Sequence, residues 1–439
     1  MVVVALCAAA TVSYWSEPPR WSPDSMFYQA RVLELRGVPS SAAVNQVFFG
    51  KLGVEFRRSN AIAETTRSQT NDRRWISYSR QFYERRQFVP VLAAAVYPVF
   101  GDRSLSAVSM LGYFVTGLLL YALLRFRFGA AVSLAVASLF VLLQPLRDWS
   151  VYPLTDSWGV ALTAAATIAG LLVFDRGRRW LPLWIGSVAL LSVTRDAVVI
   201  VVAAAVISAF LRRDRTSSAL AISGVAAMLP AVIAFGVPIQ RTLAYGFSGN
   251  KIPSEDGWGF ILRRFWPNLD AMIGEYWRTM AEGGIVMAAV LGALAAATLF
   301  KPAGIAQRSF LRTTAAAALG CVALVAASTG IGDSPFLGQR LPVVLILFGG
   351  AALLAAWPPA DTAAIFLRAS AVAAVAYIAI FPQARGLRNE LVLVPYAALG
   401  VALVARRIAR IFADDRHPAD AAVGTGQAIS TGSPDLEAL

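Results

Sequence analysis

The sequence predicts an all-α polytopic membrane protein: a bundle of about twelve transmembrane helices, with a long first extracytoplasmic loop containing juxtamembrane helices. Three observations predict it. Hydrophobic residues make up 57% of 439 positions and charged residues only 15%, and the mean hydropathy of +0.60 is too high for a water-soluble fold. Apolar runs of roughly spanning length recur along the chain. The basic residues behind the net charge of +13 sit in short clusters between those runs rather than on one continuous face. Positive-inside topology explains such clusters, and nucleic-acid binding does not.

In chain order, the first run, 2 to 14, lacks a basic leader and a small-residue cleavage site. It reads as an uncleaved, rather short first helix, or as a truncated start. Further runs lie near 104–124, 130–146, 157–174, 218–238, 283–300, 313–330, 341–357, 363–381 and 391–405. Two shorter ones, 181–194 and 196–211, meet at Thr194-Arg195-Asp196. The run from Phe88 to Phe100 holds two prolines and is too short to span comfortably. Read as a juxtamembrane or re-entrant helix, it puts five clusters on the cytoplasmic side: Arg125/Arg127, Arg176/Arg178/Arg179, Arg212/Arg213/Arg215, Lys301/Arg308/Arg312 and Arg406/Arg407/Arg410. Read as a span, it reverses every one of them.

The expected organisation is therefore a transmembrane domain over 1–405 and a cytoplasmic, mostly disordered tail over 406–439. Both termini are cytoplasmic, in a multi-pass protein of the cell's inner or plasma membrane. The first outer loop covers 16–103 and the second long one 239–282. The outer face also receives Arg147 to Asp156, the Arg195-Asp196 tip, Gly332 to Arg340 and Arg385 to Glu390.

The two cysteines, Cys7 and Cys321, lie in apolar segments, and the single histidine, His417, is in the tail. Ser-His-Asp, Cys-His and H-E-x-x-H chemistry all need an imidazole in the folded body. In an enzyme of this composition, acid-base work falls to carboxylates and anionic charge to arginines. The pattern fixes no cofactor; a divalent metal is compatible with it but not indicated.

The first loop opens Trp21-Ser22-Pro23-Asp24-Ser25-Met26-Phe27-Tyr28. Ser22 is a plausible N-cap with Pro23 at the first helical position, so Asp24 falls in the first turn of a helix running to about Arg36 and stopped by Gly37. Spacing of four and seven brings Tyr28 and Arg31 onto the Asp24 face, where the helix dipole and an arginine keep the carboxylate ionised. Asp24 is then either a base for an attacking hydroxyl or a surface-helix cap. Glu84-Arg85-Arg86, just before the 88–100 run, suits either a lipid phosphate or interfacial snorkelling. Leu154-Thr155-Asp156 opens a span, so Asp156 is an acidic site candidate or a cap. Arg195 and Arg340 adjoin strongly apolar runs, where ionisable residues are functional candidates. In the second loop, Tyr245, Trp258, Phe265, Trp266, Tyr276 and Trp277 among charged neighbours suit a sugar or headgroup site, or an interfacial belt.

The order of these motifs resembles the GT-C glycosyltransferase superfamily, most closely its ArnT and protein mannosyltransferase-like branch. The matching pieces are the early outer-loop Asp24 and its aromatic helix, Glu84 with a basic neighbour before a proline-bearing run ending Phe100-Gly101, and a span ending Arg125-Phe126-Arg127-Phe128-Gly129. They continue with Leu154-Thr155-Asp156, Ser192-Val193-Thr194-Arg195 and Gln339-Arg340-Leu341-Pro342. The resemblance implies a GT-C-like bundle whose extracytoplasmic active site takes a polyprenyl-phosphate-linked sugar donor and a lipid, glycan or protein acceptor. It implies Asp24 as the catalytic base for inverting attack, Asp156 as a second acidic candidate, and Tyr28, Glu84, Arg85, Arg86, Arg195 and Arg340 as groups that orient the donor and its phosphate. Two positions depart from the family pattern: Ser25 stands where a second acid would, and Arg85-Arg86 follow Glu84 in place of Lys-Pro. Donor sugar and branch stay open. A twelve-helix secondary transporter is the alternative from another class, although the two halves of the chain show no matching broken helices. A lipid-linked polysaccharide polymerase or ligase would share the outer-side chemistry.

Overall fold

The computed structural model describes residues 1–16, 19–58, 63–255, 257–279, 335–380, 388 and 390–413, with positions 292 and 313. Every regular element among these residues is helical. After α1 (Val2–Ser16), the first loop folds as α2 (Pro23–Leu35), α3 (Ser40–Val44) with a π turn at Asn45–Phe49, α4 (Lys51–Arg58), α5 (Glu64–Asn71), α6 (Arg73–Glu84) and α7 (Phe88–Phe100). Then follow α8 (Ser104–Arg125), α9 (Ala130–Leu142), α10 (Gln144–Val151), α11 (Asp156–Arg176), α12 (Leu181–Ser192), α13 (Val198–Arg212) and α14 (Arg215–Phe235). The remainder comprises α15 (Ile239–Phe247), α16 (Trp258–Thr279), α17 (Pro335–Ala356), α18 (Ala364–Ile380) and α19 (Val394–Ala413), the last preceded by a 3-10 turn at Glu390–Leu393.

This is an all-α protein with membrane-spanning helices, but the expected twelve spans are not reproduced. Among the described residues, four stretches are long and apolar enough to cross a bilayer: Phe88–Arg125, Asp156–Arg176, Arg215–Phe235 and Glu390–Arg410. A fifth is added if α9 and α10, bent by 57°, form one span. Val2–Val12, Val198–Arg212, Pro342–Ala356 and Ala364–Ile380 are shorter apolar helices. The expected runs 283–300 and 313–330, with Lys301, Arg308 and Arg312, lie outside the described residues apart from positions 292 and 313. The last helix continues to Ala413, beyond the boundary expected at 405; residues 414–439 lie outside the described set.

Length alone would make Phe88–Arg125 one span, but packing shows a hairpin. In a straight helix, Phe88 would stand about 30 Å from Val108. Instead its ring lies 5.1 Å from Trp158, whose indole donates to the Val108 carbonyl at 2.8 Å. The reversal occurs at Gly101, whose φ of +54° is one that side chains disfavour. Only α8, with 22 residues, is left as the spanning part.

Two kinds of packing position the site. The first loop forms a cap with its own core, where Phe27 of α2 meets Phe48 at 4.9 Å and Trp75 at 5.7 Å. Each large apolar side chain buried from water there contributes roughly 1.5–3 kcal/mol. The opposite face of α2, Tyr28 and Val32, packs with Val89 and Ala93 of α7, which seats the cap on the bundle. In the bundle, lipid removes that driving force, and small residues and hydroxyls take over. The Ser109 hydroxyl of α8 donates to the Leu154 carbonyl at 2.7 Å and accepts the Leu154 amide at 3.0 Å. Ser157 donates to the Ser109 carbonyl at 2.7 Å. These bonds pin the start of α11 to α8 and fix Asp156.

The opposite ends of the helices carry a separate ionic lock. Arg127 donates to Asp175 at 2.6 Å and to Asp361 at 2.9 Å, Arg406 lies over the Phe128 ring, and Arg212 lies over that of Phe174. Arginines from three of the sequence clusters therefore gather at one end of the bundle, away from the site below.

Candidate functional site

Asp24 sits in the first turn of α2, but it does not cap that helix. The Ser22 hydroxyl accepts the Ser25 amide at 3.2 Å, and the Ser25 hydroxyl accepts the Ser22 amide at 3.1 Å. This reciprocal capping box accounts for a buried serine at the position where a second acid would stand. Asp24 is thereby released to face across the loop. Its Oδ1 accepts the Tyr83 hydroxyl at 2.8 Å, and its Oδ2 accepts Arg388 at 2.5 Å. The arginine expected beside it, Arg31, turns instead to Glu34 at 2.9 Å and to Gln87 at 3.0 Å.

Arg388 joins Asp24 to Asp156. Its Nε and Nη2 donate to the two oxygens of Asp156 at 2.8 and 3.0 Å, a bidentate fork that suits guanidinium geometry. Arg195 reaches the same carboxylate at 2.8 Å. Asp156 is 3% exposed, so both charges are needed to offset its desolvation. The Arg195 side chain passes directly over Gly159 of α11, where an added Cβ would lie 2.8 Å from the arginine Cγ. Gly159→Ala is therefore expected to push Arg195 off Asp156. Partial loss of stability with the helix content unchanged, read by thermal unfolding and circular dichroism, would show it; wild-type stability would show that the arginine relocates without cost.

A third carboxylate, Asp196, completes the cluster. It binds Arg85 at 2.5 Å and Arg86 at 3.3 Å, and Arg86 also donates to the Tyr28 hydroxyl at 2.8 Å. Four guanidinium groups from three parts of the chain thus pair with three carboxylates, leaving one positive charge in excess among these seven groups. Asp24, Arg85, Arg86, Arg195, Asp196 and Arg388 all line one cavity of about 120 Å³. Tyr83 and Tyr245 contribute aromatic walls; Tyr245 stacks on Phe82 at 4.4 Å and hydrogen-bonds Ser79 at 3.0 Å.

The electrostatics follow from this pairing. Burial disfavours ionisation of Asp24, but the charges of Arg388 and Arg86 and the Tyr83 hydrogen bond outweigh it and hold the carboxyl below its ordinary value. Asp196 is likewise lowered against its burial by Arg85, Arg86 and Arg195. Burial, reinforced by the Asp24 charge, pushes the Tyr83 hydroxyl well above the ordinary tyrosine range, so Tyr83 stays a donor to Asp24.

Of the residues expected from sequence, Asp24, Tyr28, Arg85, Arg86, Asp156 and Arg195 converge. Glu84 does not. It pairs with Arg80 at 2.7 Å and is 45% exposed, because α6 ends there and the following turn sends Arg85 and Arg86 to the cavity side while Glu84 stays one helical turn above Arg80. Arg340 falls within α17, with its side chain outside the described residues. Asp196 and Arg388 were missed as site residues. Asp196 was legible as the second charge of the Arg195-Asp196 tip, whereas Arg388 is one arginine in an unpatterned stretch, and only folding reveals what it bridges. Among the described residues, no group of three or more His, Cys, Asp and Glu side chains is placed to hold a metal ion. No protein-family model matches the chain, and no curated protein matches it.

Proposed function

We propose that the chain is an integral-membrane glycosyltransferase of GT-C type that moves a sugar from a polyprenyl-phosphate donor to an acceptor hydroxyl, with inversion, on the extracytoplasmic face. The observation that carries this reading is a single cavity in which an ionised carboxylate, Asp24, shares walls with Arg85, Arg86, Arg195 and Arg388. Such a site offers a base and an anion receptor a few ångströms apart, as displacement of a phosphate by a hydroxyl requires.

In this proposal the acceptor oxygen attacks the anomeric carbon as its proton passes to Asp24, and the bond from that carbon to the phosphate oxygen breaks. The leaving phosphate keeps the electron pair and is held by Arg85 and Arg86, whose positions are set by Asp196 and Tyr28. Asp156 acts through Arg388 and Arg195 rather than on the substrate. A volume of about 120 Å³ is below that of most small-ligand pockets, roughly 300–1,000 Å³. It suits the phosphate and the reacting hydroxyl, with the polyprenyl chain lying outside in lipid. Purified protein in liposomes, given defined polyprenyl-phosphate sugars and candidate acceptors, is expected to release polyprenyl phosphate and form a glycoside of inverted configuration. Counterflow of a solute without turnover would instead support a transporter.

A further inference from the structure

We propose that α16 is an interfacial helix that lies on the phospholipid surface at the cavity end of the bundle, seated through Trp258, Leu262, Trp266, Ile273 and Trp277. This stands apart from the transfer reaction and does not depend on it. At 3.6 residues per turn these five positions fall within an arc of about 100°, the width of one helix face. All five are 50–72% exposed. The other side of the helix is occupied: Phe260 and Ile261 are buried with Leu243, Ala244 and Phe247 of α15. The helix therefore carries two apolar faces, and packing among the described residues uses only one.

Phospholipid is the occupant the chemistry favours. Arg263, Arg264, Asn268 and Asp270 with Pro267 make α16 unfit to span, and it is not among the stretches apolar enough to do so. Three tryptophans on one exposed stripe suit the headgroup level, where an indole keeps its ring in the acyl boundary and its N–H in polar surroundings. Arg263 borders the stripe on the helix surface. The stripe also has an apolar neighbour: α16 touches α18, an apolar helix that exposes Val372, Val375 and Ile380.

Seating α16 on lipid has a consequence for the cavity. Through α15, which supplies Thr242, Tyr245 and Gly246 to the cavity wall, the membrane surface becomes the support of that wall. The cavity is then held at headgroup height, within reach of a lipid-borne anion.

The test uses the full chain with Cys7→Ala and Cys321→Ala, carrying a single environment-sensitive fluorophore at Leu262→Cys or, separately, at Ile273→Cys, in phosphatidylcholine and phosphatidylglycerol vesicles. Bromine placed near the headgroup end of the acyl chains, about 5–10 Å deep, is expected to quench both labels by roughly half. Aqueous iodide should quench them much less than a label at the exposed Ser68→Cys. Iodide quenching equal to that at Ser68 would overturn the proposal in favour of water or a soluble partner. Protection from both quenchers would overturn it in favour of cover by another part of the chain, such as residues 280–334. Because no arm measures turnover, the result is separable from success or failure of the transfer assay.

Discussion

On the proposed function, Asp24→Asn is expected to lower sugar transfer by about 10²–10⁴-fold, the usual contribution of a positioned general base, while leaving the helix content and the bilayer insertion of the chain unchanged. The substitution is conservative where it matters: an asparagine oxygen still accepts from Arg388 or Tyr83, and the Ser22–Ser25 capping box does not involve position 24. What is lost is the ability to take a proton. The pH dependence sharpens the test. The folded Asp24 carboxyl titrates below its ordinary value, with Arg388 and Arg86 overcoming its burial. The base therefore stays ionised as pH falls through the ordinary carboxylate range near about 4, and the acid limb of kcat/KM should lie below it. The stability this carboxylate contributes follows the same sign: complete above its unfolded value, and lost only as pH falls through the folded one. Wild-type turnover by the variant, or an acid limb above the ordinary range, would remove Asp24 from the role of base.

Arg388→Gln is expected to destabilise the chain by about 3–5 kcal/mol, because removing one member of a buried ion pair strands the charges it served. Two carboxylates are stranded here. Among the described residues, Asp156, 3% exposed, would keep only Arg195, and Asp24 would keep only the Tyr83 hydroxyl as a direct partner. The measurement is the midpoint of denaturant unfolding in detergent, compared with Arg388→Lys. Lysine restores a charge but not the fork that grips both oxygens of Asp156, so its loss should fall between those of wild type and glutamine. Equal stability of all three proteins would mean that Arg388 does not hold the two carboxylates together.

The legible part of this site was local. Ser22, Pro23 and Asp24 announce a helix start through cap and turn chemistry, and α2 begins at Pro23. The run 88–100 was too short to span comfortably, and it forms the 13-residue α7, which folds back on α8. Glu84 shows the limit of such reading. It stands beside two site residues in sequence, yet the end of α6 turns it to Arg80. Arg31 shows the same limit. Helical spacing placed it near Asp24, but Glu34, one turn along, and Gln87 of the opposing segment capture it.

By itself the sequence determined that the chain is helical and membrane-embedded, that carboxylates and arginines are the groups available for chemistry, and where the polar cap begins. Composition and periodicity are properties of neighbouring residues, and burial in lipid or water acts on them directly. Only the tertiary structure decided which charges meet. Arg388 bridges Asp24 and Asp156 across 364 and 232 positions, and Asp196 gathers Arg85 and Arg86 from 110 positions away in the latter case. Buried charges pair with whatever opposite charge the packed helices bring within reach, and that partner is set by the α8–α11 clasp and the seating of α2 on α7, neither of which leaves a local signature in the chain.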